Sequence, residues 1–322
     1  MKMRLALGGG FAVLAAASVL SLGVPQARAE FPEKPVEMTV LFGGTASTIA
    51  QVLSETMAGE LGEPVVPVSR TGGGGAVGYS HVMATAPDGY SIVWNSNSVN
   101  TTAHVGHVPY SYEDFVPIAR VSEETPALAV NAARGWTSLQ DMAREVSASD
   151  DHLKVGISGK GSFTHLVSAA LFDAMGIGDQ VTFIAYGDGK APVELLAGRI
   201  DAAIQWPGQF KSYVDTGDLS VLAVTGSERI DFLPGVPTAQ EQGVDIDITM
   251  WRGLAAPKDT PPEVVEKLAA AAEAATNSEA FRKAAATMGF QPAYAGPQDF
   301  AALIARDDAF YAGLLKKLGL GQ

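Results

Sequence analysis

The sequence predicts an α/β protein of two lobes, each an open mixed sheet, joined by strands that cross between them. Three observations support this. Short apolar runs rich in β-branched residues alternate with longer stretches of helical apolar spacing. Without its leader the chain has about 290 residues, more than one ordinary core holds. No low-complexity linker separates two halves, so crossing strands rather than a flexible tether must connect them.

Residues 1–29 read as a signal peptide. Lys2 and Arg4 give a basic start, residues 5–24 an apolar run, and Ala27-Arg28-Ala29 a small-x-small cleavage site. The exported chain is expected to begin near Glu30 and to be free in the periplasm, since no Cys exists to carry a lipid. Strands are expected over 36–42, 65–68, 92–94, 127–130, 154–157, 202–204 and 221–224. Between the first two, Ile49, Val52, Leu53, Met57 and Leu61 have helical spacing, and Gly62-Glu63-Pro64 stops that helix. Thr137-Ser138-Leu139-Gln140 and Thr260-Pro261-Pro262-Glu263 fit the capping-box pattern of helix starts. The Ala-rich stretch from Thr260 to Leu318 reads as structural.

The net charge is −13. Losing Lys2, Arg4 and Arg28 with the leader leaves 19 Lys and Arg against 35 Asp and Glu, or −16. That sign disfavours nucleic acid and anionic lipid as partners. An anion bound by such a chain must be held by local dipoles, not by the overall field.

Four strand ends run into Gly, Ser or Asn. They are Phe42-Gly43-Gly44-Thr45-Ala46-Ser47, Trp94-Asn95-Ser96-Asn97-Ser98, Ile157-Ser158-Gly159-Lys160-Gly161-Ser162-Phe163-Thr164 and Tyr186-Gly187-Asp188-Gly189. Such loops let backbone approach a ligand, and a following helix offers free amides to an anion. Gly73-Gly74-Gly75-Ala76-Val77-Gly78 has the G-x-G-x-x-G spacing, but no acidic residue ends a second strand about twenty residues on, so it reads as a tight structural loop. Gly159-Lys160-Gly161-Ser162 fails as a phosphate loop, because Gly161 follows the Lys where Ser or Thr is needed.

These segments resemble the substrate-binding proteins of tripartite tricarboxylate transporters, the Bug or TctC-like family. The similarity lies in Phe31-Pro32-Glu33-Lys34-Pro35-Val36, Arg70-Thr71-Gly72-Gly73-Gly74-Gly75, Ala86-Pro87-Asp88-Gly89-Tyr90, Asp114-Phe115-Val116-Pro117-Ile118, Ser158-Gly159-Lys160-Gly161-Ser162 with His165, Leu233-Pro234-Gly235-Val236-Pro237-Thr238, and Trp251-Arg252-Gly253-Leu254. The resemblance implies a type II periplasmic binding protein, with lobe 1 from 30–125 plus 250–322 and lobe 2 from 126–249. It implies a mono-, di- or tricarboxylate ligand gripped mainly by backbone amides, transfer to the integral membrane subunits of the transporter, a monomer, and no cofactor. The first loop departs from the family's F-x-P-G-G-x-x-D: it is about two residues shorter, and Ser47 stands where the family has Asp. Losing that carboxylate removes a partner for a ligand ammonium, so plain carboxylates are expected to bind better than amino acids.

The expected ligand-binding residues are Phe42, Gly43, Gly44, Thr45, Ser47, Asn95, Asn97, Ser158, Gly161, Ser162, Thr164, Tyr186, Gly187, Gly189, Trp206 and Arg252. Several have a second reading. Arg252 either clamps a ligand carboxylate or forms a surface or interdomain ion pair. Trp94, Trp206 and Trp251 either stack on a ligand or pack the core and hinge. Ser162 and Thr164 either donate to the carboxylate or cap the next helix. His165 reads as a packing residue that fixes its loop. His104 and His107 share helical spacing but lack further metal ligands. A sensor subunit presenting the same ligand to a membrane signalling protein would use the same cleft. A hydrolase built on Ser162 and His165 would need an oriented base and an oxyanion hole, which nearness in one loop does not supply.

Overall fold

A computed structural model describes residues 30–106, 108–187 and 189–321. The leader, His107 and Asp188 lie outside the described residues.

β1 (Val36–Val40) is almost wholly buried, as suits a strand flanked on both sides by parallel neighbours. The apolar run continues to Phe42, but the ladder ends at Val40 and the last two residues enter the loop. α1 (Thr45–Leu61) begins four residues before the first apolar position of its stripe. The small polar residues of its first turn carry no apolar period, so pattern reading misses them. It stops at Gly62, whose left-handed backbone (φ 74°) turns its amide back to Ala58 O.

The chain continues through β2 (Val65–Ser69), a 3-10 turn at Gly73–Gly75, α2 (Ala76–Met83), β3 (Ser91–Ser96), α3 (Ser98–His104) and β4 (Phe115–Glu124). It then crosses at Thr125 and Pro126 into β5 (Ala127–Asn131), α4 (Leu139–Ser147), β6 (Leu153–Ile157), α5 (Phe163–Ala174), β7 (Val181–Ala185), α6 (Ala191–Leu196), β8 (Ala202–Gln205), α7 (Pro207–Asp215) and β9 (Leu219–Val224). It returns in β10 (Met250–Pro257), followed by α8 (Pro262–Thr276), α9 (Glu279–Met288), β11 (Gln291–Ala295) and α10 (Pro297–Lys317).

Two mixed sheets result, in the orders β11-β4-β10-β3-β1-β2 and β7-β6-β8-β5-β9. β1 is parallel to β2 and β3, and β10 is antiparallel to β3 and β4. In the second sheet β6 is parallel to β7 and β8, and β5 is antiparallel to β8 and β9. The returning strand β10 is buried at every residue. Gly253 at its middle is obligatory: a Cβ there would lie 2.4 Å from Ala119 O and 2.5 Å from the Phe300 ring.

α10 ties the two cores together. Phe300 and Ile304 pack with the first sheet's cluster around Tyr79 and Trp251, while Tyr311 and Leu315 pack with the second sheet's cluster around Leu166 and Phe172.

Both expected capping boxes are corrected. The α4 cap is Ser138, whose hydroxyl accepts from Asp141 N at 3.0 Å, one residue later than the pattern places it. At α8, Thr260 turns back to donate to Pro257 O at 2.7 Å, and the cap position falls to Pro261, which has no side-chain acceptor. Among the described residues no helix is long and apolar enough to cross a membrane.

Candidate functional site

The loops after β1, β3, β6 and β8, together with β10, surround a cavity of about 120 Å³. It opens into a wider space of about 570 Å³ that shares Phe42, Gly74, Thr102, Ser158, Gly161 and Ser162. Of the residues singled out in the sequence, Phe42, Gly43, Gly44, Thr45, Ser158, Gly161, Ser162, Thr164, Gly189, Trp206 and Arg252 line the inner cavity. Gly187 lines the wider space.

The outer end is made by two helix N-termini facing across the cavity, one from each sheet. α1 begins at Gly44, whose φ of 63° and ψ of −136° suit glycine alone and which offers no side-chain cap. The first amide of α1 to find a helical acceptor is Thr48 N, 3.2 Å from Gly44 O. The amides of Thr45, Ala46 and Ser47 therefore have no helical acceptor, and no acidic side chain stands in the first turn. Opposite, α5 begins at Ser162. Its hydroxyl accepts from His165 N at 3.3 Å, and Leu166 N bonds Ser162 O at 3.0 Å, leaving the amides of Phe163 and Thr164 as the unpaired donors of that turn.

Three other amides of the Ser158–Thr164 loop are taken up by side chains within it. Ser158 N donates to Thr164 Oγ1 at 2.9 Å, Gly159 N to Ser162 Oγ at 3.2 Å, and Gly161 N to His165 Nδ1 at 3.0 Å. Burial, helped by the charge of Lys160, lowers the His165 pKa and keeps the ring in the neutral form that this bond needs.

The other end lies beside the crossing strands. Arg252 on β10 stands opposite Ser96, and Gln205 at the end of β8 stands opposite Ala127, the first residue of β5. The Arg252 guanidinium is buried, donates through Nε to Glu124 Oε1, and lies 5.9 Å from the centre of the Trp206 ring. Trp206 stacks on Phe163 at 5.8 Å with 19° between the planes. Gln205 Nε2, Gln209 Oε1 and Arg252 Nη1 are buried with no hydrogen-bond partner. All three side chains line the cavity. α1 leaves β1, two places from β10 in the first sheet, and α5 leaves β6, next to β8 in the second.

Residues 49–320 match the tripartite tricarboxylate transporter family receptor, TctC. The chain belongs to this family. It is 30% identical over 306 residues to protein BugT of Bordetella pertussis, covering 92% of this chain and 93% of that protein. Among solved structures it superposes on the periplasmic binding protein BugD with 28% identity and a TM-score of 0.80, over 90% of this chain and 99% of BugD. It superposes on MatC of Rhodopseudomonas palustris, solved with bound malate, with 25% identity and a TM-score of 0.77, over 88% and 100% of the two chains. The two-lobed fold read from the sequence is the fold of these TctC-type binding proteins.

Several singled-out residues do not reach the inner cavity of this TctC-family chain. Asn95 Oδ1 accepts from Tyr79 OH at 2.6 Å and from Ser96 N at 2.8 Å, within the core. Asn97 is tied to α10 and β10: its Nδ2 donates to Tyr311 OH at 2.9 Å and Asp307 Oδ2 at 3.1 Å, and its Oδ1 accepts from Trp251 N at 3.0 Å. Burial is the main cause raising the pKa of Asp307 there. Ser47 sits on the first turn of α1 outside the lining, and Tyr186 packs against the second sheet's core beside Ala191 and Leu195. Trp94 is core, donating to Ala46 O at 3.0 Å, and so is Trp251, which donates to Asp307 Oδ2 at 2.7 Å. His104 pairs with Asp308 at 2.9 Å. Among the described residues no group of three or more His, Asp or Glu is placed to hold a metal. The Ser162 hydroxyl engages Gly159 N, His165 N and Thr164 Oγ1, while the described bond of the His165 ring is to Gly161 N, so the arrangement is a cap and not a nucleophile with its base.

Sequence reading missed Gly74, Ser98, Thr101, Thr102, Gln205 and Gln209, all of which line the cavity. Gly74 lies in the glycine loop read as purely structural. Ser98 ends the flagged Asn-Ser segment, which was the available signal for Thr101 and Thr102. Gln205 closes a short apolar strand one residue before the flagged Trp206, and nothing in the pattern marks its direction.

Proposed function

We propose that this chain is a periplasmic solute-binding protein that captures a small organic carboxylate and hands it to the integral membrane subunits of a tripartite tricarboxylate-type transporter. The observation that carries this reading is the pair of N-termini of α1 and α5, from different sheets, lining one cavity with free amides and with no acidic side chain among its described lining residues. Two positive helix ends compensate one negative guest locally, which a chain of net charge −13 cannot do through its overall field. The malate bound by MatC is the same class of ligand. Hinge closure about the crossing strands would complete the shell, since each lobe holds only half of the donors. Removing water from the cavity strengthens every one of those hydrogen bonds. Export by the leader of residues 1–29 and action as a monomer belong to the same proposal.

The test is a thermal-shift screen of mono-, di- and tricarboxylates and amino acids, followed by calorimetry. A ligand that binds only the folded chain raises its melting temperature. Micromolar or tighter binding, about −8 kcal/mol or better, is expected for a plain carboxylate. Binding of amino acids alone, or of no acid at all, defeats the proposal. Loss of uptake in cells lacking the chain tests delivery; unchanged uptake with lost gene induction would make it a sensor instead.

A further inference from the structure

We infer that the cleft selects a monocarboxylate whose far end carries an uncharged group able both to accept and to donate hydrogen bonds, a hydroxyl or a primary amide. This rests on the carboxylate reading above and names the class of acid.

The outer end, with the free amides of α1 and α5, is where the single carboxylate belongs. Lys160 lines the adjoining wider space and adds positive charge on that side. The hinge end differs in charge. Its one cation, Arg252, is already matched by Glu124, and Glu124 Oε2 remains buried and unpartnered beside it. A second carboxylate placed there would meet a pair of net zero charge with an unshielded acceptor in it, and burying such a charge uncompensated is costly.

An uncharged group fits instead. Gln205 Nε2 and Arg252 Nη1 are donors without acceptors, and Gln209 Oε1 is an acceptor without a donor. Gln205 is 1% exposed and Arg252 3% exposed, and the Gln209 Oε1 atom is buried, so leaving these three atoms unpaired is costly. A hydroxyl or primary amide satisfies both kinds of atom at once; a methyl group satisfies neither. The stacked Phe163 and Trp206 form an apolar wall for the body of the acid between its two ends.

The experiment is calorimetry of the purified protein with four acids of matched length: 6-hydroxyhexanoate, adipamate, hexanoate and adipate. The first two are expected to bind about three- to tenfold more tightly than hexanoate, the worth of one or two net hydrogen bonds, and roughly tenfold or more tightly than adipate. Gln209→Leu is expected to reduce the advantage of 6-hydroxyhexanoate over hexanoate, because the hydroxyl then keeps only the donors Gln205 Nε2 and Arg252 Nη1. Glu124→Gln, which releases the charge of Arg252, is expected to shift preference toward adipate; should that variant fail to fold, Gln209→Leu decides alone. Adipate binding as tightly as 6-hydroxyhexanoate overturns the inference. So does an equal loss for all four acids in Gln209→Leu, which would mark a structural role. If these four are silent while other acids of the wider screen bind, this inference fails and the carboxylate reading stands; if no acid binds at all, the carboxylate reading itself is gone.

Discussion

The loops after β1 and β6 look alike in sequence, both short, glycine-bearing and leading into a helix, yet the structure uses them in opposite ways. The first ends in Gly44, which has no side chain to cap α1, so the first-turn amides stay open. The second ends in Ser162, and its Ser, Thr and His side chains take up the amides of Ser158, Gly159, Gly161 and His165. One loop leaves the first-turn amides of its helix open. The other is held by its own side chains, and the Phe163 and Thr164 amides at its helix start stay unpaired. The difference teaches that a glycine loop offers donors in proportion to the side-chain acceptors it lacks.

The largest expected effect comes from closing the open first turn of α1. Gly44→Val forces a β-branched residue into a glycine-only conformation, a strain of about 1–3 kcal/mol. If the loop relieves it by moving, the α1 amides move with it, and affinity for the best-binding acid should fall roughly ten- to a hundredfold by calorimetry. Unchanged affinity would show that those amides do not hold the ligand.

Breaking the second loop's bonds should cost stability first. Ser162→Ala removes the α5 cap and strands the Gly159 amide, so urea unfolding should report a loss of about 1 kcal/mol. Its affinity should fall less than that of Gly44→Val. A stability equal to that of the parent chain would mean that this loop is held by something else.

Ser47→Asp supplies the acid that the first turn of α1 lacks. It should stabilise the unliganded protein by about 0.3–1 kcal/mol and, by occupying the same dipole, weaken carboxylate binding about two- to fivefold. Thermal melts with and without ligand separate the two effects. A tighter carboxylate complex would contradict the role given to the open turn.

The smallest effect is one of pH. Because the His165 pKa is lowered in the folded state, the unfolded chain binds the proton more readily below the ordinary value of 6.5. The stability that this group contributes is present above pH 6.5 and is lost as pH falls through the folded value. Denaturant midpoints at pH 7.5 and 5.5 should differ more in the parent chain than in His165→Asn, which keeps a neutral acceptor for Gly161 N. Equal differences in both proteins would remove His165 as the source.

By itself the sequence determined the α/β class, the two lobes and most of the strands around the cleft, because short apolar β-branched runs alternating with helical spacing are local signals. It also pointed to Phe42, Gly44, Ser162 and Trp206, since strand ends that meet glycine or a helix start can be seen along the chain. It did not reveal the ten-residue strand β4 as an element, whose Phe115-Val116-Pro117-Ile118 segment contains a proline, or β11 at the sheet edge. Asn95 and Asn97, equally polar and two residues apart at the end of β3, went to the core and to the contact with β10. Only the tertiary structure decided which amides were spent and which stayed free, and that Gln205, Gln209 and Arg252 share one cavity. The physical reason is distance: a helix start or an apolar run is set by neighbours a few residues away, whereas an unpaired donor is defined by partners on other strands, such as Glu124 facing Arg252 across 128 residues of chain.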